Sequence, residues 1–316
     1  MDKKKFQKAL ETENKKMFDS INKTNLHAHA LLSSNSQKFE SEFHRVMSSN
    51  NNFSSFIDFD NYIKSNLSDL IANKDTQLKL YELSVLTAID DGISVFDMSV
   101  DYRSVNRIFG GSIKKYIASI RKIKEKYKKR ITLNIDLAIN REGFHSSDDG
   151  LIKCLIDTGI FHGIDLVGDE TSQKVEKFKK IYKYAGKRNL ILKAHVGEFG
   201  SPKDIKKTIK VLNLNMVQHG INIIKSESVM KFVKRRNVIF NVCVSSNLSL
   251  IKNIRLQEHP IRKMYDYGLR VTINTDDELI FNSSLFNEYL LLYKCGLFNI
   301  EELYNILKNG LNAVSI

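Results

Sequence analysis

A (β/α)8 barrel is the fold class that this sequence predicts, and three observations predict it. Eight short apolar runs alternate with longer helical stretches from end to end. A chain of 316 residues suffices for one large core of that kind. The unusual polar residues stand where the apolar runs end, and in such barrels the carboxyl ends of all strands meet on one face. A doubly wound open sheet is the alternative architecture.

The runs expected as strands are residues 25–29, 94–98, 131–137, 163–167, 190–195, 215–219, 238–243 and 270–275. Stretches rich in Lys, Glu, Leu and Ile at 113–128, 174–187, 202–212 and 226–234 read as helices between them. Two prolines, Pro202 and Pro260, and no Gly/Ser/Pro-rich linker argue for a single domain over 1–316. The longest interruption, 31–90, mixes Ser, Asn and Asp with Phe39, Phe43, Phe53, Phe56, Phe59 and Tyr62. Helices folded as a lid over the barrel mouth are expected there, with these aromatics as lid core rather than as a base-stacking platform.

Composition excludes more than it selects. The excess of 49 basic over 36 acidic residues, formally +13, is lysine spread along helical stretches such as Lys122, Lys124, Lys126, Lys128 and Lys129, a solvated face rather than a nucleic-acid patch. Cys154, Cys243 and Cys295 are odd in number and far apart, so neither a disulfide framework nor a Cys-x-x-Cys zinc site is indicated. The charged start at 1–16 lacks a signal-peptide core, and no uncharged run reaches membrane-spanning length. A cytoplasmic protein that binds neither membrane nor nucleic acid is expected, of unspecified oligomeric state.

Chemistry enters with Asn-Leu-His-Ala-His. His27 and His29, one residue apart on a strand, project to one side and can reach one metal ion. His195 ends the fifth run, His219 the sixth, and Asp276 with Asp277 the eighth, while Gly168 follows the fourth. His27, His29, His195 and Asp276 form a nitrogen and oxygen set suited to Zn²⁺ or a related divalent ion, with a position left for water. A metal lowers the pKa of such a water from 15.7 to about 7, which makes hydrolysis the natural chemistry. Glu198, three residues beyond His195, is placed for proton transfer. His219 is either a further ligand or a base holding the attacking water, and Asp277 is a second carboxylate free to bend toward substrate. His44, His145, His162 and His259 fall outside this pattern and read as surface or hydrogen-bonded histidines, Lys193 carries no catalytic nomination, and Cys243 reads as a small buried hydrophobe.

The segments LHAH (26–29), IDLVGDE (164–170), HVGEFGS (195–201), QHG (218–220), CVSSN (243–247) and NTDD (274–277) resemble, in order and spacing, the adenosine deaminase and AMP deaminase family of the amidohydrolase superfamily. The resemblance implies one zinc ion on His27, His29, His195 and Asp276. It also implies Glu198 as donor of a proton to the ring nitrogen beside the attacked carbon, and His219 as the residue that orients and deprotonates the water. Asp277 and the backbone of Gly168 would bind a purine, with His29 beside it. The implied reaction is hydrolytic loss of the 6-amino group of an adenosine-like nucleoside or nucleotide as ammonia, leaving an inosine-type product. AMP, N6-substituted AMP or another amino-heterocycle are alternatives; a catalytically silent metal-bound module or a nucleic-acid binder is disfavoured. No lysine ends the fourth run where two-metal relatives carry a bridging one, and the Pro-Cys-x-x-Cys ligands of cytidine-type deaminases are absent.

One departure bears on substrate. Leu31 and Leu32 occupy the positions where adenosine deaminases carry an aspartate, then glycine, with the carboxylate on the ribose 5′ hydroxyl. Ser33, Ser34, Asn35 and Ser36 then either line a phosphate or, the preferred reading, cap and start a helix. Val244 for proline and Gln218 for glycine are milder departures.

Overall fold

The computed structural model describes residues 2–47 and 52–314. Eight strands pair in parallel in chain order. They are β1 (Thr24–Asn25), β2 (Val95–Asp101), β3 (Thr132–Asn140), β4 (Gly163–Val167), β5 (Ile191–His195), β6 (Met216–Gln218), β7 (Ile239–Val242) and β8 (Arg270–Ile273). A helix follows nearly every strand, giving the expected barrel rather than an open doubly wound sheet.

All eight expected strands are present, but those that carry the site are shorter than their apolar runs. The run 25–29 gives a ladder only at Thr24 and Asn25, and 270–275 stops at Ile273. The reason is how the barrel closes. Between β1 and β8 the Asn274 side-chain oxygen accepts the Leu26 N–H at 2.7 Å in place of a main-chain carbonyl, and Asp276 N donates to His27 O at 3.1 Å. Asp276 and His219 both take positive φ, at 59°, which ends any strand.

The barrel interior is unusually polar. Lys193 on β5, fully buried, is paired with Asp97 on β2 and with Asp136 on β3 at 2.6 Å. Burial opposes its charge, but the two carboxylates outweigh that and hold its pKa above the usual lysine value. Gln218 donates to Asp165 at 3.1 Å, and Asn241 donates to Gln218 at 2.8 Å. Each polar group therefore has a partner from a different strand, which replaces the branched apolar layers usual in such barrels.

Helix Pro202–Leu212 illustrates how the outer ring forms. Ser201 and Asp204 make a reciprocal capping box, Pro202 stands in the first turn where its missing N–H costs nothing, and Ile205, Thr208, Ile209 and Leu212 are buried. Each fully buried aliphatic side chain contributes about 1.5–3 kcal/mol, whereas Ser201→Ala would cost only about 1 kcal/mol. The predicted helices at 174–187 and 226–234 appear as a 3-10 turn, Val175–Phe178, running into Lys179–Gly186, and as Glu227–Arg236.

Segment 31–90 holds helices Ser36–Phe43, Phe56–Ala72 and Lys74–Asp90, with 48–51 outside the described residues. Phe39, Phe53, Phe59, Leu67 and Leu80 build a second apolar core with Leu250 and Phe281, distinct from the core between barrel and outer helices. Asn35 caps Ser36–Phe43, accepting from Lys38 N at 2.9 Å, while Ser33 Oγ donates to the carbonyls of His29 and Asp276, each at 2.8 Å. These polar residues start a helix and brace the site. No helix among the described residues is long and apolar enough to cross a membrane.

His259, outside the site pattern, is buried, and its Nδ1 accepts from Ile261 N at 3.3 Å. Burial depresses it to about 3. The unfolded chain, with His near 6.5, then binds the extra proton between those values, so stability falls as pH drops below about 6.5, by up to about 2 kcal/mol at pH 5. His259→Asn, which keeps an acceptor, is expected to flatten the decline in Tm between pH 7 and 5; an unchanged decline would show that other groups carry it.

Candidate active site

The site is built from strand ends. Residues 26–29 leave the ladder but are held between β8 and β2 by bridges from Ala28 to Asp276 and from His29 to Ser99. Alternate side chains of this extended run share a side, and the Nε2 atoms of His27 and His29 lie 3.4 and 3.3 Å from Asp276 Oδ1. His195, ending β5, brings Nε2 to 3.0 Å from His27 Nε2. Tetrahedral Zn–N bonds of about 2.0–2.1 Å place ligand atoms about 3.3 Å apart, so this spacing is that of a coordination shell.

The donor set fits a cation as well as the distances do. His195 Nδ1 faces two acceptors, Leu166 O at 3.2 Å and Asp165 Oδ1 at 3.3 Å, which assigns the proton to Nδ1 and turns the Nε2 lone pair inward. His27 Nδ1 faces Cys243 Sγ at 3.4 Å, leaving its Nε2 to the cluster. Cys243, a small buried side chain as expected, sits directly behind the His27 ring. Ser246 Oγ donates to Asp276 Oδ2 at 2.7 Å, orienting the carboxylate.

Charge is distributed unevenly over these buried groups. Burial keeps His27 well below the ordinary histidine value and takes His219 down to about 3. Burial opposes charge on His29 too, but Asp277 and Asp276 outweigh it and raise His29 to about 10. Burial alone would raise Asp276; His27, His29 and His219 around it hold it well below the carboxylate range. Glu198 is driven far up by burial, then by Asp276 and Glu170, and Asp277 by burial and Asp276. One carboxylate stays ionised among imidazoles while two neighbours are kept as acids, the separation of roles that acid–base chemistry needs.

Glu198 is held by its loop. Glu170, past the end of β4, accepts N–H bonds from Gly197, Phe199 and Gly200, the last at 2.7 Å. Asn222 donates to Glu198 O at 2.8 Å and Gly200 O at 2.9 Å. Gly197 has φ +81°, and a Cβ there would come within 2.3 Å of Ile205, so only glycine serves. Arg141, buried, donates to the main-chain oxygens of Glu170 at 3.0 Å and His195 at 2.8 Å, tying the loop after β4 to the end of β5.

The Asn247 amide joins two further predicted residues, its Nδ2 lying 3.0 Å from Glu198 Oε1 and 3.1 Å from His219 Nδ1. His219 Nε2 lies 3.7 Å from Asp276 Oδ2. Asp277 Oδ1 is buried with no hydrogen-bond partner, an acceptor or acid awaiting one. Gly168, at φ +90°, approaches so closely that a Cβ would lie 2.2 Å from Glu142 Oε2.

All eight residues singled out from the sequence meet here; His27 forms the inner shell, and the other seven reach a cavity of about 210 Å³. His44, His145, His162 and His259 stay outside it. Sequence reasoning missed the supporting layer of Glu170, Asp165, Arg141, Ser246 and Asn247. Four of these lie inside quoted motifs, and their position near a strand end was the available signal; Arg141 had none beyond following β3.

The profile of the adenosine deaminase family matches residues 131–316. A protein of Treponema pallidum described as an adenosine/adenine deaminase is 35% identical over 220 residues, 70% of this chain and 73% of that one. Among solved structures, the adenine deaminase of Arthrobacter aurescens superposes with a TM-score of 0.81 at 19% identity, over 92% of this chain and 93% of that one. An amidohydrolase of Burkholderia ambifaria with bound zinc gives 0.78 at 20% identity, over 95% and 87%. The chain belongs to the adenosine deaminase family, metal-dependent hydrolases that act on C–N bonds.

Proposed function

We propose that this protein hydrolytically removes the 6-amino group of an adenosine-like purine, releasing ammonia, with one zinc ion per chain held by His27, His29, His195 and Asp276. The observation that carries the reading is the convergence of His27, His29, His195 and Asp276, the histidines after β1 at 3.3–3.4 Å from Asp276 and His195 at 3.0 Å from His27, with a Glu198 kept as an acid, a neutral His219 and an unpartnered Asp277 beside one cavity. Bound there, zinc supplies Lewis-acid activation of water near neutral pH.

The chain's own groups account for the remainder. His219, kept neutral with its own proton on Nδ1 against the oxygen of a turned Asn247 amide, accepts a proton from the attacking water at Nε2, on the face where it meets Asp276. Glu198, kept as an acid, delivers a proton to the ring nitrogen beside the attacked carbon, so that the ring accepts electrons as the C–O bond forms. His219 then passes the proton it took to the amino group, the C–N bond breaks with loss of ammonia, and the new hydroxyl gives its proton back to Glu198, leaving a carbonyl and an aromatic ring. Asp277 pairs with the five-membered ring of the purine, and the backbone of Gly168, which lines the same cavity, contacts its opposite edge. In this reading the whole chain is one barrel domain, with 31–90 as its lid.

Glu198→Gln is expected to lower kcat for ammonia release by about 10²–10⁴-fold while zinc content, measured by plasma mass spectrometry, stays near one per chain. Retained activity would remove Glu198 from the mechanism. His27→Ala should lose stoichiometric zinc, and wild-type protein bound to more or less than one ion would overturn the single-metal assignment. Glu170→Gln is predicted to lower kcat by about 10–100-fold with little change in zinc content, because it loosens the loop that aims Glu198; an unaltered kcat would mean that Asn222 and Asn247 suffice.

A further inference from the structure

The cavity has two unlike ends. At one stand the imidazoles and carboxylates; facing them are Leu31, Leu32, Phe56, Phe59, Ile63 and Leu250. These belong to or pack on the second apolar core, so the wall is continuous hydrocarbon rather than an isolated pair of leucines. No lysine or arginine lines the cavity among the described residues, whereas Asp60 and Asp101 do. Asp101 is tied to Arg103, whose remaining reach is spent on Asn140 Oδ1 at 3.1 Å. Ser33 and Asn35, the polar groups nearest the leucines in sequence, are committed to main-chain bonds elsewhere, and neither lines the cavity.

Resting on the deaminase reading, we propose that the substrate is a 6-aminopurine nucleoside whose far, 5′ end is uncharged and apolar, and that the site rejects 5′-phosphorylated nucleotides. With the amino group at the ligand cluster, the far substituent must lie against hydrocarbon. A phosphate there would lose its hydration and find no lysine or arginine lining the cavity to replace it, since the nearest cations, Lys64 and Arg103, are spent on Asp60 and Asp101. A 5′ hydroxyl costs far less, because an apolar pocket rejects an added hydroxyl only weakly, by about 10²-fold at most. The expected order of kcat/KM is therefore 5′-deoxyadenosine, then adenosine, then AMP, with unsubstituted adenine below the first because it leaves the apolar wall uncovered.

Ammonia release from these four compounds by zinc-quantified protein tests this, together with calorimetric binding of 5′-deoxyinosine, inosine and IMP. Support is 5′-deoxyadenosine exceeding AMP by at least about 100-fold, with the same order among the products. AMP or adenine as the best substrate, or IMP as the tightest product, would overturn the inference while leaving deamination standing. Silence toward all four would defeat the deaminase reading, and the binding order would then decide the apolar end by itself. Leu31→Asp places an acceptor at the wall and should shift the ratio of 5′-deoxyadenosine to adenosine turnover toward adenosine by about 10-fold or more; an unmoved ratio in folded protein counts against it.

Discussion

A single buried carboxylate, Asp276, is the constraint on which the rest of this structure depends. An ionised group with almost no access to water is tolerable only if opposite charge or a cation surrounds it. Three imidazoles from the ends of β1 and β6 surround it here, and of these His29 carries the charge that balances it. Bringing them together requires β1, β6 and β8 to end at one level, and the irregular closure of the barrel between β1 and β8 follows. Two non-glycine residues, His219 and Asp276, hold left-handed backbone at those ends, at a cost on the order of 1–3 kcal/mol each that the surrounding bonds must offset.

The barrel beneath explains why that geometry is rigid. Lys193 with Asp97 and Asp136, and Gln218 with Asp165 and Asn241, tie strands together across the barrel interior as well as between neighbours. Asp165 belongs to both systems, since it also faces His195 Nδ1. The site is therefore the upper layer of one polar network, and its electrostatics are set from below as well as by the ligands themselves.

The positive charge of the chain and the negative character of its cavity serve different ends. The lysine excess lies on outer helices, while the cavity lining is acidic at one end and hydrocarbon at the other. Among the described residues no lysine or arginine lines the cavity, so the surface lysines have no counterpart inside it.

The sequence by itself determined the barrel and the polar residues that close its strands, because both leave local marks. Period-2 apolar runs mark strands, and a histidine or aspartate closing such a run is chemically out of place unless it has a function. Helix 202–212 was legible to the residue, since a capping box and proline are local signals. Tertiary structure alone decided what no local pattern encodes: that Glu170 reaches back to hold the Glu198 loop, that Arg141 bridges two carbonyls, and that Asn247 joins Glu198 and His219. Strand ends at β1 and β8 were misjudged for the same reason, because a side chain, Asn274, substitutes for the ladder there. Leu31 and Leu32 announced an apolar substitution, but only packing of 31–90 onto the barrel turned two leucines into a wall.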